Sequence, residues 1–81
     1  LGRALALART EGAAAGLDAL KAIASERLRG SRPWHAAKGE LLAQLGRKDE
    51  ARDALTRALA LDPPRAERLF LEAKRSALIA R

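Results

Sequence analysis

The chain has 81 residues, with 16 Lys+Arg against 10 Asp+Glu, no Cys and a formal charge of +6, which fits one small basic domain. Without Cys there is no disulfide framework and no thiolate metal site, and no apolar run approaches the roughly 18–20 residues needed to span a bilayer. A hydrophobic fraction of 48% is too high for a disordered basic tail, and the lack of Val and Tyr argues against a sheet.

Gly12, Gly30, Gly46 and the pair Pro63-Pro64 divide the chain into five segments rich in Ala, Leu, Arg and Glu, all strong helix formers. The first helix is expected from about Leu1 to Arg9, with Leu1, Ala4, Leu5 and Ala8 on one face. A second is expected from Ala13 to Leu28, with Leu17, Leu20, Ala24 and Leu28 as its stripe. Arg27 and Arg29 suit its C-terminal dipole, and Gly30 suits its C′ position. The third opens at Ser31-Arg32-Pro33, because Pro is pre-set for the start of a helix. Trp34, Ala37, Leu41 and Leu45 are its expected buried face, and Gly46 stops it. Asp49 is the expected N-cap of the fourth helix, whose stripe of Ala51, Ala54, Leu55, Ala58 and Leu59 is the cleanest in the chain. Asp62-Pro63-Pro64 breaks it. A fifth helix follows, with Leu69, Phe70, Ala73, Ala77 and Ala80 as its expected apolar face. The short links require neighbouring helices to be antiparallel.

Shifting the chain by about 34 residues lays Gly12 on Gly46, Leu7 on Leu41, Leu17 on Ala51, Leu20 on Ala54 and Ala24 on Ala58. The same shift lays Ala37 on Leu71, Gly39 on Ala73 and Ala43 on Ala77. Two helices per such period is the tetratricopeptide arrangement. Gly39 takes the small position of the first helix, Leu42 the bulky one and Gly46 the turn. Ala51, Leu55 and Ala58 follow as small, bulky and small, and Pro63 as the terminal proline. Three departures stand out. Trp34 falls one place early, leaving His35 at the usual aromatic position; Lys38 replaces the usual Leu; and Lys21 falls on a bulky apolar position of the first unit. The expected fold is therefore all-α, a tetratricopeptide-like antiparallel array of about five helices forming an α-solenoid segment. It divides into a first degenerate pair over 1–30, a central unit over 31–63, and a terminal or capping helix over 64–81.

Three stretches carry a narrower likeness. Leu1 to Leu17 is one. Trp34 to Arg47, followed by Glu50-Ala-Arg-Asp-Ala-Leu-Thr-Arg-Ala-Leu, is another, and Ala66-Glu-Arg-Leu-Phe-Leu is the third. In this order the chain resembles the C-terminal tetratricopeptide-like domain of bacterial extracytoplasmic-function (ECF) RNA polymerase sigma factors. The resemblance implies a non-catalytic, cytoplasmic regulatory domain acting by protein contact. Core RNA polymerase and promoter DNA would be bound by other parts of the parent chain, and no DNA-contacting residue is carried over. The chain starts at Leu1 rather than Met and shows no signal-peptide pattern, so a fragment of a longer protein is expected.

Catalysis needs a constellation, and the residues offer none. His35 is a lone His at a packing position, Asp49 and Glu50 open a helix where negative charge is favoured, and no phosphate loop is present. No cofactor or metal is expected. Trp34 reads either as core filling between the second and third helices or as an anchor for a partner. Phe70 reads either as groove-facing or as buried, with Leu69 packing inward. The basic residues Arg47, Lys48, Arg52 and Arg57, and Arg65, Arg68, Lys74 and Arg75, could track phosphates. Acids three or four residues away instead point to solvated, paired helix faces. The inward-facing repeat positions Ala36, Glu40, Ala43, Gln44, Phe70 and Lys74 form the candidate protein-contact groove. Its occupant would be a protein partner or another region of the parent chain. A homodimer through an exposed terminal helix is a further expectation. A freestanding adaptor unrelated to transcription and direct nucleic-acid contact are the rival readings.

Overall fold

A computed structural model describes residues 2–23 and 30–80. Five helices occupy the described residues: α1 (Gly2–Glu11), α2 (Ala13–Ala22), α3 (Arg32–Gln44), α4 (Lys48–Leu59) and α5 (Arg65–Ala80). The all-α, tetratricopeptide-like expectation holds. None of these helices is long and apolar enough to cross a membrane.

A single residue, Gly12, separates α1 from α2. Its φ of 101° lies where only glycine is comfortable, so the chain reverses with no loop to spare. The two helices then cross very closely: a Cβ on Gly16 would come within 2.6 Å of the Ala8 Cβ and 2.9 Å of the Ala4 carbonyl oxygen. Leu17 and Leu20 are buried as expected, but α2 ends at Ala22 with Ile23 as its C-cap. Gly30 is therefore not its C′ residue. Ala24, Arg27, Leu28 and Arg29, placed on this helix or its end by the sequence pattern, lie outside the described residues.

Ser31 caps α3, its Oγ accepting from the Trp34 N–H at 3.3 Å, and Pro33 sits in the first turn. Trp34, His35, Gly39, Leu41 and Leu42 are buried along the helix. Leu45 is 38% exposed, not buried. At the C-cap its backbone (φ −86°, ψ 0°) leaves the helix, and the side chain leaves the buried face with it. Gly46, at φ 77°, then closes a Schellman motif: its N–H donates to Ala43 O, and Arg47 N–H donates to Leu42 O, each at 3.0 Å.

The α4 helix begins one residue after this motif, so Arg47 holds the N-cap position and makes no side-chain cap bond. Asp49 stands in the first turn instead, a correction to the expected N-cap. All five stripe residues, Ala51, Ala54, Leu55, Ala58 and Leu59, are buried. The helix ends at Leu59 with Ala60 as its C-cap, and in the link beyond it Asp62 is left-handed, at φ 56°, before the proline pair.

The inward face of α5 is not the one that periodicity selects. Leu69 and Phe70 are 54% and 60% exposed, and Ala73 and Ala77 face solvent with them. The residues turned inward are Leu71, which is 2% exposed, and the half-buried Glu67, Lys74 and Leu78. Two polar members of that face, Glu67 and Lys74, bond to α3. The side chain of Ala80 lies outside the described set.

Two apolar clusters make the core. Ala4, Leu17, Leu20, Trp34, Leu41, Leu42, Ala51 and Ala54 join α1 through α4. Leu55, Ala58, Leu59 and Leu71 join α4 to α5, and Leu78 packs against both clusters. The contacts are small and close. A Cβ on Gly39 would approach Leu55 Cδ2 to 2.8 Å, so the helix pair depends on glycine at its crossing.

Candidate protein-contact groove

Two ion pairs span α3 and α5. Arg32 Nε donates to Glu67 Oε2 at 2.8 Å near one end, and Lys74 Nζ donates to Glu40 Oε1 near the other. Gln44 Nε2, one turn along α3, donates to the remaining oxygen of Glu40 at 3.1 Å. Lys74 also lies 5.6 Å from the centroid of the exposed Phe70 ring, within cation–π range. Of the six residues expected in the groove, Glu40, Gln44, Phe70 and Lys74 thus form one connected polar and aromatic run. Ala36 and Ala43 are half-buried and pack against the two core clusters, forming its floor.

The electrostatics follow from this geometry. The Lys74 hydrogen bond does most to hold the Glu40 carboxyl below its ordinary range; partial desolvation opposes it, and Gln44 and the charge of Lys74 add to the lowering. Both side chains of the Glu40–Lys74 pair are 38% exposed. The run thus presents a carboxylate and an ammonium already held in place, beside an accessible ring.

Trp34 fills the core rather than offering an anchor. It is 7% exposed, and its Nε1–H donates to Leu20 O at 3.1 Å, tying α3 to α2. His35 is 6% exposed and meets the Trp34 ring edge-on at 5.1 Å and 84°. Leu69, expected to pack inward, is exposed beside Phe70.

Much of the basic excess is paired. Arg47 forks onto Glu50 at 2.7 and 2.8 Å, and Arg52, Arg57 and Arg68 lie 3.5 Å from Asp49, Asp53 and Asp62. Arg75 donates to Thr56 Oγ1 at 3.3 Å beside an open cleft of about 380 Å³ lined by Asp49, Arg52, Asp53 and Thr56. Among the described residues, no group of three or more His, Asp or Glu is placed to hold a metal ion.

The Arg32–Glu67 pair escapes a reading of the sequence; its only signal is a separation of 35 residues, close to one repeat.

Comparison with known proteins bears on the central unit. Residues 33–65 match the tetratricopeptide repeat family model. An uncharacterized protein of Rhizobium meliloti (strain 1021) is 41% identical over 71 residues, which is 88% of this chain. The chain spans only 16% of that relative's length. No solved structure matches. Neither match links the chain to sigma factors. The chain carries a tetratricopeptide-like helical domain, of the kind that commonly serves protein–protein interaction.

Proposed function

We propose that this chain is a non-catalytic protein-interaction domain which presents the run Glu40, Gln44, Phe70 and Lys74 to a peptide or helix. The observation that carries this reading is the α3–α5 bridge: a fixed carboxylate–ammonium pair beside a 60% exposed phenylalanine, over a floor of Ala36 and Ala43. Preorganised polar groups beside an accessible aromatic suit recognition, because little ordering remains to be done on binding. In this reading, residues 1–30, 31–63 and 64–81 act as a first pair, a central unit and a terminal helix.

The parent is a bacterial, cytoplasmic transcription initiation factor of the ECF sigma type, and the domain regulates it by contact with another of its regions or with a separate protein. Support comes from the in-order likeness along the chain and from a relative in which the matching segment is a small part of a much longer protein. Core polymerase and promoter DNA are engaged by the parent's other regions. The exposed α5 stripe also supports self-association, which light scattering at high concentration tests; a strict monomer removes it.

The groove is tested with Glu40→Arg combined with Gln44→Ala in the full-length protein. Loss of partner binding or altered promoter activity is expected; unchanged values for both contradict it. The sigma assignment is tested separately by the coding sequence upstream of Leu1. A helix-turn-helix region there supports it, and any other fold removes it while leaving the groove reading intact.

A further inference from the structure

The link between α4 and α5 turns back at one residue. The Leu61 and Asp62 N–H groups still donate to Ala58 O and Leu59 O, at 3.1 and 3.3 Å, so the chain stays wound as far as Asp62. Beyond it, Arg68 N–H donates to Pro64 O at 2.8 Å, so the prolines belong with α5. The reversal therefore falls on Asp62, at φ 56°. That is a left-handed conformation for a residue which carries a side chain and precedes a proline. Proline pushes the residue before it toward extended backbone, and Pro63 is itself followed by Pro64. The link thus favours a straight chain, and its turn is kept by the contacts that α5 makes.

Those contacts do not require the turn. Leu71 is buried with Leu55, Ala58 and Leu59. Glu67 bonds to Arg32, Lys74 to Glu40 and Arg75 to Thr56. All of these partners stand before the link, so an α5 arriving from a second copy makes the same contacts, while a straightened link relieves Asp62. The 3.5 Å pair of Arg68 with Asp62, next to the turn, is exposed and contributes little. We propose that two copies of the chain exchange α5 by opening at Asp62, each terminal helix packing on α3 and α4 of the other copy. With contacts equal in the two forms, the link sets the balance. A short link supplies an effective concentration in about the millimolar range, and strain at both hinges of a dimer brings the dissociation constant below it. The exchange makes the α3–α5 groove composite, with Glu40 and Gln44 from one copy and Phe70 and Lys74 from the other. It differs from association through the exposed Leu69 and Phe70, in which each copy keeps its own α5, and it does not depend on what the groove binds.

The test mixes two charge-reversed chains. One carries Arg32→Glu with Glu40→Lys on α3, and the other carries Glu67→Arg with Lys74→Glu on α5. Alone, each sets like charges together at both ion-pair positions and is expected to melt below wild type. Refolded together from urea, they restore every pair only when α5 is exchanged. The expected product is a heterodimer by native mass spectrometry that melts above either chain alone. In an otherwise unaltered chain, Asp62→Gly accommodates the left-handed turn and is expected to raise the dimer dissociation constant at least about tenfold in light scattering. Leu69→Ser with Phe70→Ser leaves the exchanged contacts in place and is expected to change that constant by no more than about twofold. Three results overturn the proposal: a wild-type chain that stays monomeric up to about 1 mM, a mixture that melts no higher than its components, or a dimer abolished by Leu69→Ser with Phe70→Ser. The last would assign association to the exposed faces instead.

Discussion

Glu40 and Lys74 stand 34 residues apart, one repeat period, and are joined by an ion pair between α3 and α5. Equivalent positions of successive units therefore carry opposite charges that meet. The pair lies on the inward face of α5 with the buried Leu71, while Leu69 and Phe70 face outward.

The Glu40 pair predicts an acid-sensitive increment of stability. A carboxyl held below its unfolded pKa contributes stability that is present above about pH 4.5 and lost as pH falls through the lower, folded value. Because both partners are more than one-third exposed, the contribution is about 0.2–1 kcal/mol. Glu40→Gln should lower the melting temperature at neutral pH and flatten the acid limb below about pH 4.5. Thermal melts across pH 3–7 check this.

Glycine at the two helix crossings predicts unequal costs. Gly39→Ala would press on Leu55, a buried side chain, and should cost about 1–3 kcal/mol of overpacking, offset by up to about 1 kcal/mol of helix propensity. Gly16→Ala would meet the Ala4 carbonyl at 2.9 Å, and backbone yields less than a side chain. It should be the more destabilising of the two in urea unfolding.

The orientation of α5 predicts that its exposed stripe is dispensable for folding. Phe70→Ser and Leu69→Ser should each change stability by no more than about 0.5 kcal/mol, whereas Leu71→Ala should cost about 2–5 kcal/mol. Comparable losses at all three positions in denaturant titration would contradict the described packing.

Trp34 reports on the α2–α3 seam. Trp34→Phe removes the bond to Leu20 O and part of a buried ring, and should cost about 1–3 kcal/mol. Because Ile23 N–H also donates to Leu20 O at 3.3 Å, that carbonyl keeps a partner, and the loss is chiefly one of packing. Urea unfolding followed by circular dichroism measures it without relying on the lost fluorophore.

The sequence pattern served well where one stripe had no competitor. In α4, five small or branched apolar residues recur at helical spacing among charges, and all five are buried. Gly46 likewise marked a turn that its backbone angles require. The pattern misled in α5, where two stripes compete. Leu69, Phe70, Ala73, Ala77 and Ala80 outnumber Leu71 and Leu78, yet the smaller set faces inward. The inward face carries the buried Leu71 together with Glu67 and Lys74, whose partners lie 35 and 34 residues away, beyond any local window. The expected Asp49 cap failed for a nearer reason: the Schellman turn at Gly46 places the helix start at Lys48, and Asp49 falls inside it. The repeat register did bring Glu40 and Lys74 together, because that register is a property of the whole chain rather than of one helix.

The most direct measurement is isothermal titration of the partner region against full-length protein, wild type and Glu40→Arg/Gln44→Ala, with promoter-dependent transcription measured in parallel. The account predicts binding weakened at least about tenfold, the effect of replacing an attractive carboxylate with a like charge at a contact surface, and a matching change in transcription. Unchanged affinity and unchanged transcription, in a variant that melts as wild type does, would contradict it.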